Sequence, residues 1–227
     1  MITSDFTLYG HHASGNVYKV ALFFGLAGYA FAYKHVDIFK DGTRTEQYTA
    51  LNTFQEVPVL VHGDDVVTQS DVILRYLADM TGRFGGSDDA ELRRIQEWMA
   101  WSSNKLTNGL GLARLGLRFA HFEPQVITFF QGRARTALDL VDRHLESSEW
   151  LAGDQPTIAD MSAAGYIYLA NEAKLELMPW RNVLSWMGRL SMLPGWHHPD
   201  KLPHMDATVA PAVPVPPDDL TRDQEKR

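Results

Sequence analysis

Cysteine is absent from the 227-residue sequence. The chain therefore cannot form a disulfide, hold a metal through Cys ligands, or attack a substrate with a thiol of its own. Any sulfur chemistry must use a sulfur that a ligand brings. Long apolar runs are also missing, since no stretch approaches the roughly 18 residues that a membrane helix needs. The segment MITSDFTLYG lacks the basic and apolar regions of a signal peptide, and we expect a cytoplasmic protein without a membrane partner.

Positive charge is scarce. Lys and Arg total 21 against 28 Asp and Glu, the net charge is -7, and no basic cluster is visible. Nucleic-acid binding needs such clusters, so we expect no nucleic-acid partner. The adjacent histidines at 11–12 and 197–198 lack a metal-ligand spacing such as H-E-x-x-H, and neighbours in sequence rarely ligate one metal. We expect no metal.

The first 80 residues alternate between strand and helix signals. Apolar residues recur at the helical period from Val17 to Phe24, whereas the flanking segments are short and β-prone. The signals in chain order are strands at 6–9 and 30–38, helices between them and around 44–51, a hairpin of strands at 57–61 and 66–68, and a helix from Ser70. The order β-α-β-α-β-β-α predicts an α/β domain over residues 1–80.

The character of the sequence changes after a linker that we place at 81–87, which is rich in Gly. Residues 88–205 show helical spacing and no strand signal, and they predict an all-helical domain. Within it, Thr157 and Asp160 have the spacing of a capping box, which we interpret as structural. Residues 206–227 combine prolines with mixed charge and predict an extended, poorly ordered tail.

Three short motifs in the first domain could carry chemistry. Ser14 precedes the first helix, where a hydroxyl and the helix dipole would both favour a bound thiolate. Pro58 interrupts a strand, and a cis peptide there would turn the Val57 backbone towards a peptide ligand. Gln69-Ser70 opens another helix, and helix N-termini bind carboxylates. Ordinary alternatives exist for each motif taken alone: helix caps at Ser14 and at Thr68 or Ser70, and an edge-strand proline.

Taken together, the three motifs resemble the glutathione transferase superfamily. The resemblance is strongest over residues 6–80, including the run LNTFQEVPVLVHGDDVVTQSDVILRYLAD, and looser from 90 to about 200; the tail shows none. The resemblance implies a thioredoxin-like N-terminal domain with a mixed four-stranded sheet, followed by an all-helical C-terminal domain. It also implies a homodimer.

The resemblance assigns residues to glutathione. Ser14 would contact the sulfur, the Val57 backbone would pair with the cysteinyl part, and Gln69 with Ser70 would hold the γ-glutamyl end. Tyr9 is a rival sulfur partner. The full implied binding set is Asn16, Gln55, Glu56, Val57, Pro58, Gln69 and Ser70, and Lys40 and Arg44 lie where they could reach the glycyl carboxylate although surface solvation explains them equally.

Glu56 departs from the family pattern, because members often place a donor before Val-Pro. A carboxylate that pointed inward would repel glutathione's carboxylates, so either Gln55 takes the donor role or glutathione binds weakly. In the helical domain, the implied pocket for the second substrate is a stripe at helical spacing that ordinary packing would also produce. Its members are Trp101, Asn104, Lys105, Asn108 and Leu112.

The activity implied is that of a glutathione S-transferase, a detoxification enzyme that activates the glutathione thiol for attack on a small hydrophobic electrophile. Glutathione would be a co-substrate. Other glutathione-dependent reactions stay open: an ether lyase, an isomerase, a dehalogenase or a disulfide reductase. A non-catalytic binding module on the same fold is the alternative from a different class.

Overall fold

The structure is a computed structural model and describes residues 5–212. Its strands are β1 (Phe6–Gly10), β2 (Phe31–His35), β3 (Val59–His62), β4 (Asp65–Thr68) and β5 (Ala207–Val209). Its α-helices are α1 (Gly15–Ala27), α2 (Glu46–Leu51), α3 (Ser70–Thr81), α4 (Asp89–Leu106), α5 (Leu112–Leu115), α6 (Pro124–His144), α7 (Ile158–Ile167) and α8 (Arg181–Ser191). No helix among residues 5–212 has both the length and the apolar character to cross a membrane.

The chain divides into two compact units. Among the described residues, one unit contains those up to Arg83 together with those from Leu193 to residue 212, and the other runs from Phe84 to Met192. The first unit is thioredoxin-like and the second is helical, as predicted. Residues 193–205, which we assigned to the helical domain, instead pack with the first unit. For example, the Tyr18 hydroxyl donates to the His197 carbonyl at 2.8 Å, which ties this segment to α1.

The sheet is mixed, with strand order β4-β3-β1-β2-β5. β1 pairs parallel with β2 and antiparallel with β3. The predicted count of four strands was wrong, because β5 adds a fifth strand antiparallel to β2, with Tyr33 opposite Ala207. Asp206 fixes this strand by accepting from the His35 backbone N–H at 2.8 Å and pairing with Lys34 at 3.0 Å. Part of the predicted tail is therefore ordered; residues 213–227 of it lie outside the described residues.

The end of β1 approaches α1 closely. Burial alternates along the strand, with Phe6, Leu8 and Gly10 facing inward. A Cβ at Gly10 would lie 2.5 Å from a methyl of Val17 on α1, a distance that no side chain tolerates. The absence of a side chain at Gly10 therefore lets α1 begin directly beside the strand's end.

The helical unit contains one long run from α4 to residue 120. Two π-helical segments, Thr107–Gly111 and Gly116–Ala120, flank the short α5. A Cβ at Gly109 would lie 2.8 Å from backbone atoms of Ala134 on α6, so glycine permits that helix contact. π-helical segments change the angular spacing of side chains. The simple i, i+3, i+4 stripe predicted here is therefore interrupted after residue 106.

The start of α7 contains a buried polar network. Thr157 and Asp160 form the capping box that the sequence predicts. Asp160 is fully buried and also accepts hydrogen bonds from the Leu151 backbone N–H at 3.1 Å and from the indole N–H of Trp186 at 2.8 Å. The carboxylate thus joins a loop, α7 and α8 within one unit.

Candidate active site

Three strand ends meet at one edge of the sheet. The register places Tyr9 of β1 opposite Val59 of β3, and Val59 opposite Thr68 of β4. The chain continues from these positions into the loop carrying Ser14, back into Pro58, and forward into Ser70. The sheet therefore brings together the three motifs that lie far apart in the sequence.

Ser14 is the N-cap residue of α1. Its backbone is extended, with φ -89° and ψ 119°, and its Oγ accepts from the Val17 N–H at 3.3 Å. The side chain is half-buried. Its own backbone N–H donates to the His11 carbonyl at 2.9 Å, which fixes the loop before the helix. Ser14 therefore caps α1 through its oxygen, and its hydroxyl hydrogen is not needed for this role.

The peptide bond between Val57 and Pro58 is cis. The loop before this peptide bond is hydrogen-bonded to α2 and to Asn52, the residue that follows α2. The Tyr48 hydroxyl and the Asn52 amide both donate to the Glu56 carbonyl at 2.8 Å. Pro58 is buried and Val57 is half-buried. The position of Val57 at the site's edge is thus determined by α2 as well as by the sheet.

The N-terminus of α3 has no side-chain cap from its N-cap residue, Gln69, in the part of the chain that the structure describes. Gln69 has φ 68° and ψ 117°, and a positive φ is uncommon for a residue other than glycine. Ser70, the first helical residue, is buried at 8% exposure. Helix N-termini carry unpaired N–H groups and a partial positive charge. This end of α3 suits a carboxylate.

Glu56 contacts Gln69. The Gln69 amide donates to the Glu56 carboxylate at 3.1 Å, and both side chains are exposed. The sequence raised the prospect that Glu56 points inward and repels a ligand. Its carboxylate accepts this hydrogen bond from the residue that precedes α3, and the effect of its charge on glutathione binding stays a prediction.

Two family profiles match the chain, one in each part of it. Residues 4–79 match the profile of the glutathione S-transferase N-terminal domain, and residues 124–189 match that of the C-terminal domain. The chain belongs to the glutathione S-transferase superfamily. Its function is of the glutathione-dependent kind found in that superfamily.

Curated relatives of this glutathione S-transferase family member are named for different reactions. Glutathione S-transferase F10 from Arabidopsis thaliana is 27% identical, covering 74% of this chain and 84% of the relative. A disulfide-bond oxidoreductase, YfcG from Escherichia coli, is 25% identical over 79% of this chain and 87% of its own. A probable maleylacetoacetate isomerase from Caenorhabditis elegans is 28% identical, covering 86% of this chain and 94% of the relative.

Solved structures show the same fold. A glutathione S-transferase from Xanthobacter autotrophicus is 32% identical with a TM-score of 0.79, covering 85% of this chain and 95% of the other. A glutathione transferase homologue from Drosophila mojavensis, solved with bound glutathione, is 26% identical with a TM-score of 0.76, covering 83% and 88%.

The remaining predicted residues of the first unit occupy different places. Tyr9 packs beside Tyr48 and Val59 on the sheet face away from that of Leu8. Asn16 is the second residue of α1 and half-buried, and Gln55 is exposed with φ 57°. Lys40 and Arg44 are both exposed and pair with nearby aspartates at 3.4 and 3.3 Å.

One functional candidate was missed in the sequence. Lys19 on α1 is completely buried and its Nζ lies 3.4 Å from the carboxylate of Asp71 on α3. A signal existed, since Lys19 is the only Asp, Glu, Lys or Arg between Asp5 and Lys34. Its partner is 52 residues away, and spacing alone does not reveal such a contact.

Four histidines gather at the loop before Ser14. His11 lies against His12 and His35, with ring centroids 4.3 and 5.1 Å apart. His12 stacks on His204, from the C-terminal part of this unit, at 3.8 Å. Among residues 5–212, no group of three or more His, Asp or Glu is arranged to hold a metal ion. The cluster is a packed arrangement of rings.

His11 should make the protein less stable in acid. Burial, followed by repulsion from His12, His35 and His204 and opposed by Asp37, lowers the pKa of His11 to about 4. The unfolded chain has an ordinary His pKa of about 6.5, so it binds a proton in the window between these values that the folded protein does not. Stability should fall as pH drops through this window, by about 2 kcal/mol after allowance for solvent screening. Thermal midpoints at about pH 7 and pH 4.5 measure the fall.

His11→Asn retains a side-chain acceptor for the Ala13 N–H, which His11 Nδ1 accepts at 3.1 Å. We expect this variant to lose less stability in acid than the wild type. His121→Asn is the matched control, because His121 is exposed and lies at a positive φ that asparagine tolerates. An acid loss in His11→Asn equal to that of the wild type would contradict the assignment.

A cavity of about 330 Å³ lies between α4 and α6 in the helical unit. Trp101 and Lys105 of the predicted second-substrate stripe contribute to it, as do Arg133 and Leu140. The other three residues predicted for this stripe do not line the cavity. Asn104, the first of the three, is exposed. The other two, which lie in or beyond the first π-helical segment, are Asn108 and Leu112.

Proposed function

We propose that this protein is a glutathione transferase in which Ser14 donates a hydrogen bond to the glutathione thiolate. The supporting observation is the convergence of the Ser14 loop, the cis Val57-Pro58 peptide and the start of α3 at one edge of the sheet. Each part meets a different chemical group of a γ-glutamyl tripeptide.

The capping and catalytic roles of Ser14 are compatible. A hydroxyl has one donor hydrogen and two acceptor lone pairs, and the Val17 N–H uses one lone pair. The hydrogen is left to donate to sulfur. An unperturbed thiol has a pKa near 8.5, and each unit of lowering corresponds to about 1.4 kcal/mol of preference for the thiolate. The N-terminus of α1 adds a favourable potential.

The reaction needs little else from the protein. The thiolate attacks an electrophilic carbon, a carbon–sulfur bond forms, and the leaving group departs with its electron pair. We assign the γ-glutamyl carboxylate to the N-terminus of α3 and the cysteinyl backbone to Val57. Asn16, Gln55, Glu56, Pro58 and Gln69 complete the proposed glutathione site. The cavity beside Trp101 is our candidate for the hydrophobic electrophile.

Within the superfamily, we propose transfer of glutathione to an electrophile as the reaction of this protein. The relatives include an oxidoreductase and an isomerase, so product analysis with glutathione and candidate substrates separates transfer from reduction or isomerisation. In this chain, a disulfide reduction would use glutathione's sulfur alone, because no cysteine is present. A homodimer in the cytoplasm completes the proposal, and sedimentation measures the oligomeric state.

Ser70→Ala should weaken glutathione binding. Ser70 is buried at the start of α3, and we propose that its hydroxyl and the helix N–H groups bind the γ-glutamyl carboxylate. A hydrogen bond to a charged group contributes about 1.5–3 kcal/mol, so we expect roughly 10- to 100-fold weaker binding by calorimetry.

Ser185→Ala is the control for Ser70→Ala, since Ser185 is an exposed serine of α8 whose hydroxyl donates within its own helix. Its affinity should match that of the wild type. A wild type that shows no binding at millimolar glutathione, with the fold intact, would favour the binding-module alternative.

A further inference from the structure

Lys19 is a lysine whose side chain is completely buried. It lies one turn after the first residue of α1, between the buried Tyr18 and Val20, and 0% of its surface is exposed. Its Nζ contacts Oδ1 of Asp71, whose side chain is 20% exposed, at 3.4 Å. Burial lowers the pKa of Lys19, and Asp71 acts in the opposite direction. The pair joins the helix that begins after Ser14 to the helix that begins at Ser70.

Stability alone does not explain this pair. Taking an ammonium ion out of water costs several kcal/mol, and one contact of 3.4 Å repays little of that. An apolar side chain of similar length would fill the same volume between α1 and α3 without the desolvation. Strongly perturbed charges are concentrated at functional sites, and this one contacts Asp71, the residue next to Ser70 of the proposed glutathione site.

Asp71 is the second residue of α3, directly after Ser70. A carboxylate in the first turn is attracted to the helix N-terminus, where it competes with and repels a bound anion. The ammonium group of Lys19 contacts Asp71 from the α1 side. The cation therefore offsets the negative charge that lies closest in sequence to the proposed carboxylate subsite.

We propose that Lys19 is a positioning residue that draws the Asp71 carboxylate towards α1 and so keeps the N-terminus of α3 available to the carboxylate of the γ-glutamyl group. The inference rests on the proposed function. Lys19 makes no contact with glutathione in this proposal. Binding of the γ-glutamyl end of glutathione instead depends on the buried ammonium group of Lys19, through its contact with Asp71.

The test uses binding of S-methylglutathione, a thioether without an ionisable thiol, measured by calorimetry on the full chain. Lys19→Met should weaken binding about tenfold, equivalent to about 1.4 kcal/mol. Asp71→Asn alone should bind at least as tightly as the wild type. The double variant Lys19→Met/Asp71→Asn should return to within about threefold of the wild type, because the charge that Lys19 offsets is then gone.

Arg75→Met is the matched control: it removes one positive charge from α3 itself, where Arg75 pairs with Asp79 further along the helix. Its affinity should equal that of the wild type. Thermal midpoints of all variants show whether each is folded. A folded Lys19→Met that binds like the wild type overturns the inference, as does a double variant as weak as Lys19→Met or an Asp71→Asn that weakens binding tenfold. Those results leave the proposed function standing, whereas a wild type that binds no S-methylglutathione overturns both.

Discussion

Asp160→Ala is expected to lower the free energy of unfolding by about 3–5 kcal/mol. The carboxylate is fully buried and accepts from the backbone N–H groups of Thr157 and Leu151 and from the indole of Trp186. Alanine would leave these buried donors unsatisfied, each at a cost of about 1–3 kcal/mol, and would remove the capping box of α7. Urea unfolding followed by fluorescence and circular dichroism measures the loss.

Asp139→Ala is a close control for this change. Trp180 donates its indole N–H to Asp139 at 2.7 Å, nearly the same bond as that between Trp186 and Asp160, but Asp139 is exposed. Water can replace the lost acceptor there, so the expected loss is below about 1 kcal/mol. Equal losses in the two variants would show that burial of the network is not what stabilises the unit.

Ser14→Ala is expected to raise the pKa of the bound glutathione thiol by about 1–2 units, while glutathione affinity changes little. The reason is that the hydroxyl favours the thiolate over the thiol. At about pH 6.5 the rate with a nitroaromatic halide should fall roughly 10- to 100-fold, and at about pH 9 the difference should shrink because the thiol ionises unaided. Ultraviolet absorbance of the thiolate gives the pKa directly.

Loss of the helix cap is separable from loss of the thiolate donor. Removing the Ser14 cap from α1 should cost about 1 kcal/mol of stability at every pH, which a thermal midpoint reports. Ser14→Thr keeps both the cap and the hydroxyl, and should retain the low thiol pKa. If Ser14→Ala left the pKa unchanged, Ser14 would be a cap only, and another group would have to ionise the thiol.

The fold of the first unit was largely predictable because its signals are local. The period of apolar residues in α1 and the alternation in β1 arise from neighbours a few positions apart. β5 was not predictable in this way. It has three residues in a proline-rich context, and its pairing with β2 depends on a partner about 175 residues earlier, together with Asp206. The first π-helical segment likewise includes a contact that is distant in sequence, that of Gly109 with Ala134.

The candidate site likewise contains some features that the local sequence predicts and others that depend on distant contacts. The sequence placed Ser14 and Ser70 at helix starts and Pro58 inside a strand, and the structure begins that strand one residue later, at Val59. The strand register brings these segments together. The contact from Gln69 to Glu56 was not foreseen, and the prospect of an inward Glu56 carboxylate rested on side-chain direction, which spacing does not specify. The pairing of Lys19 with Asp71 is invisible for the same reason.

The addition of β5 to the sheet has a consequence for synthesis on the ribosome. β2 is made early, yet its outer edge, including Phe31 and Tyr33, pairs with residues that emerge only after the whole helical unit. Until then, the nascent sheet presents an open strand edge, the kind of surface that promotes pairing between chains. Completion of the first unit therefore waits for translation of the second, and a stalled or truncated product would keep that edge exposed.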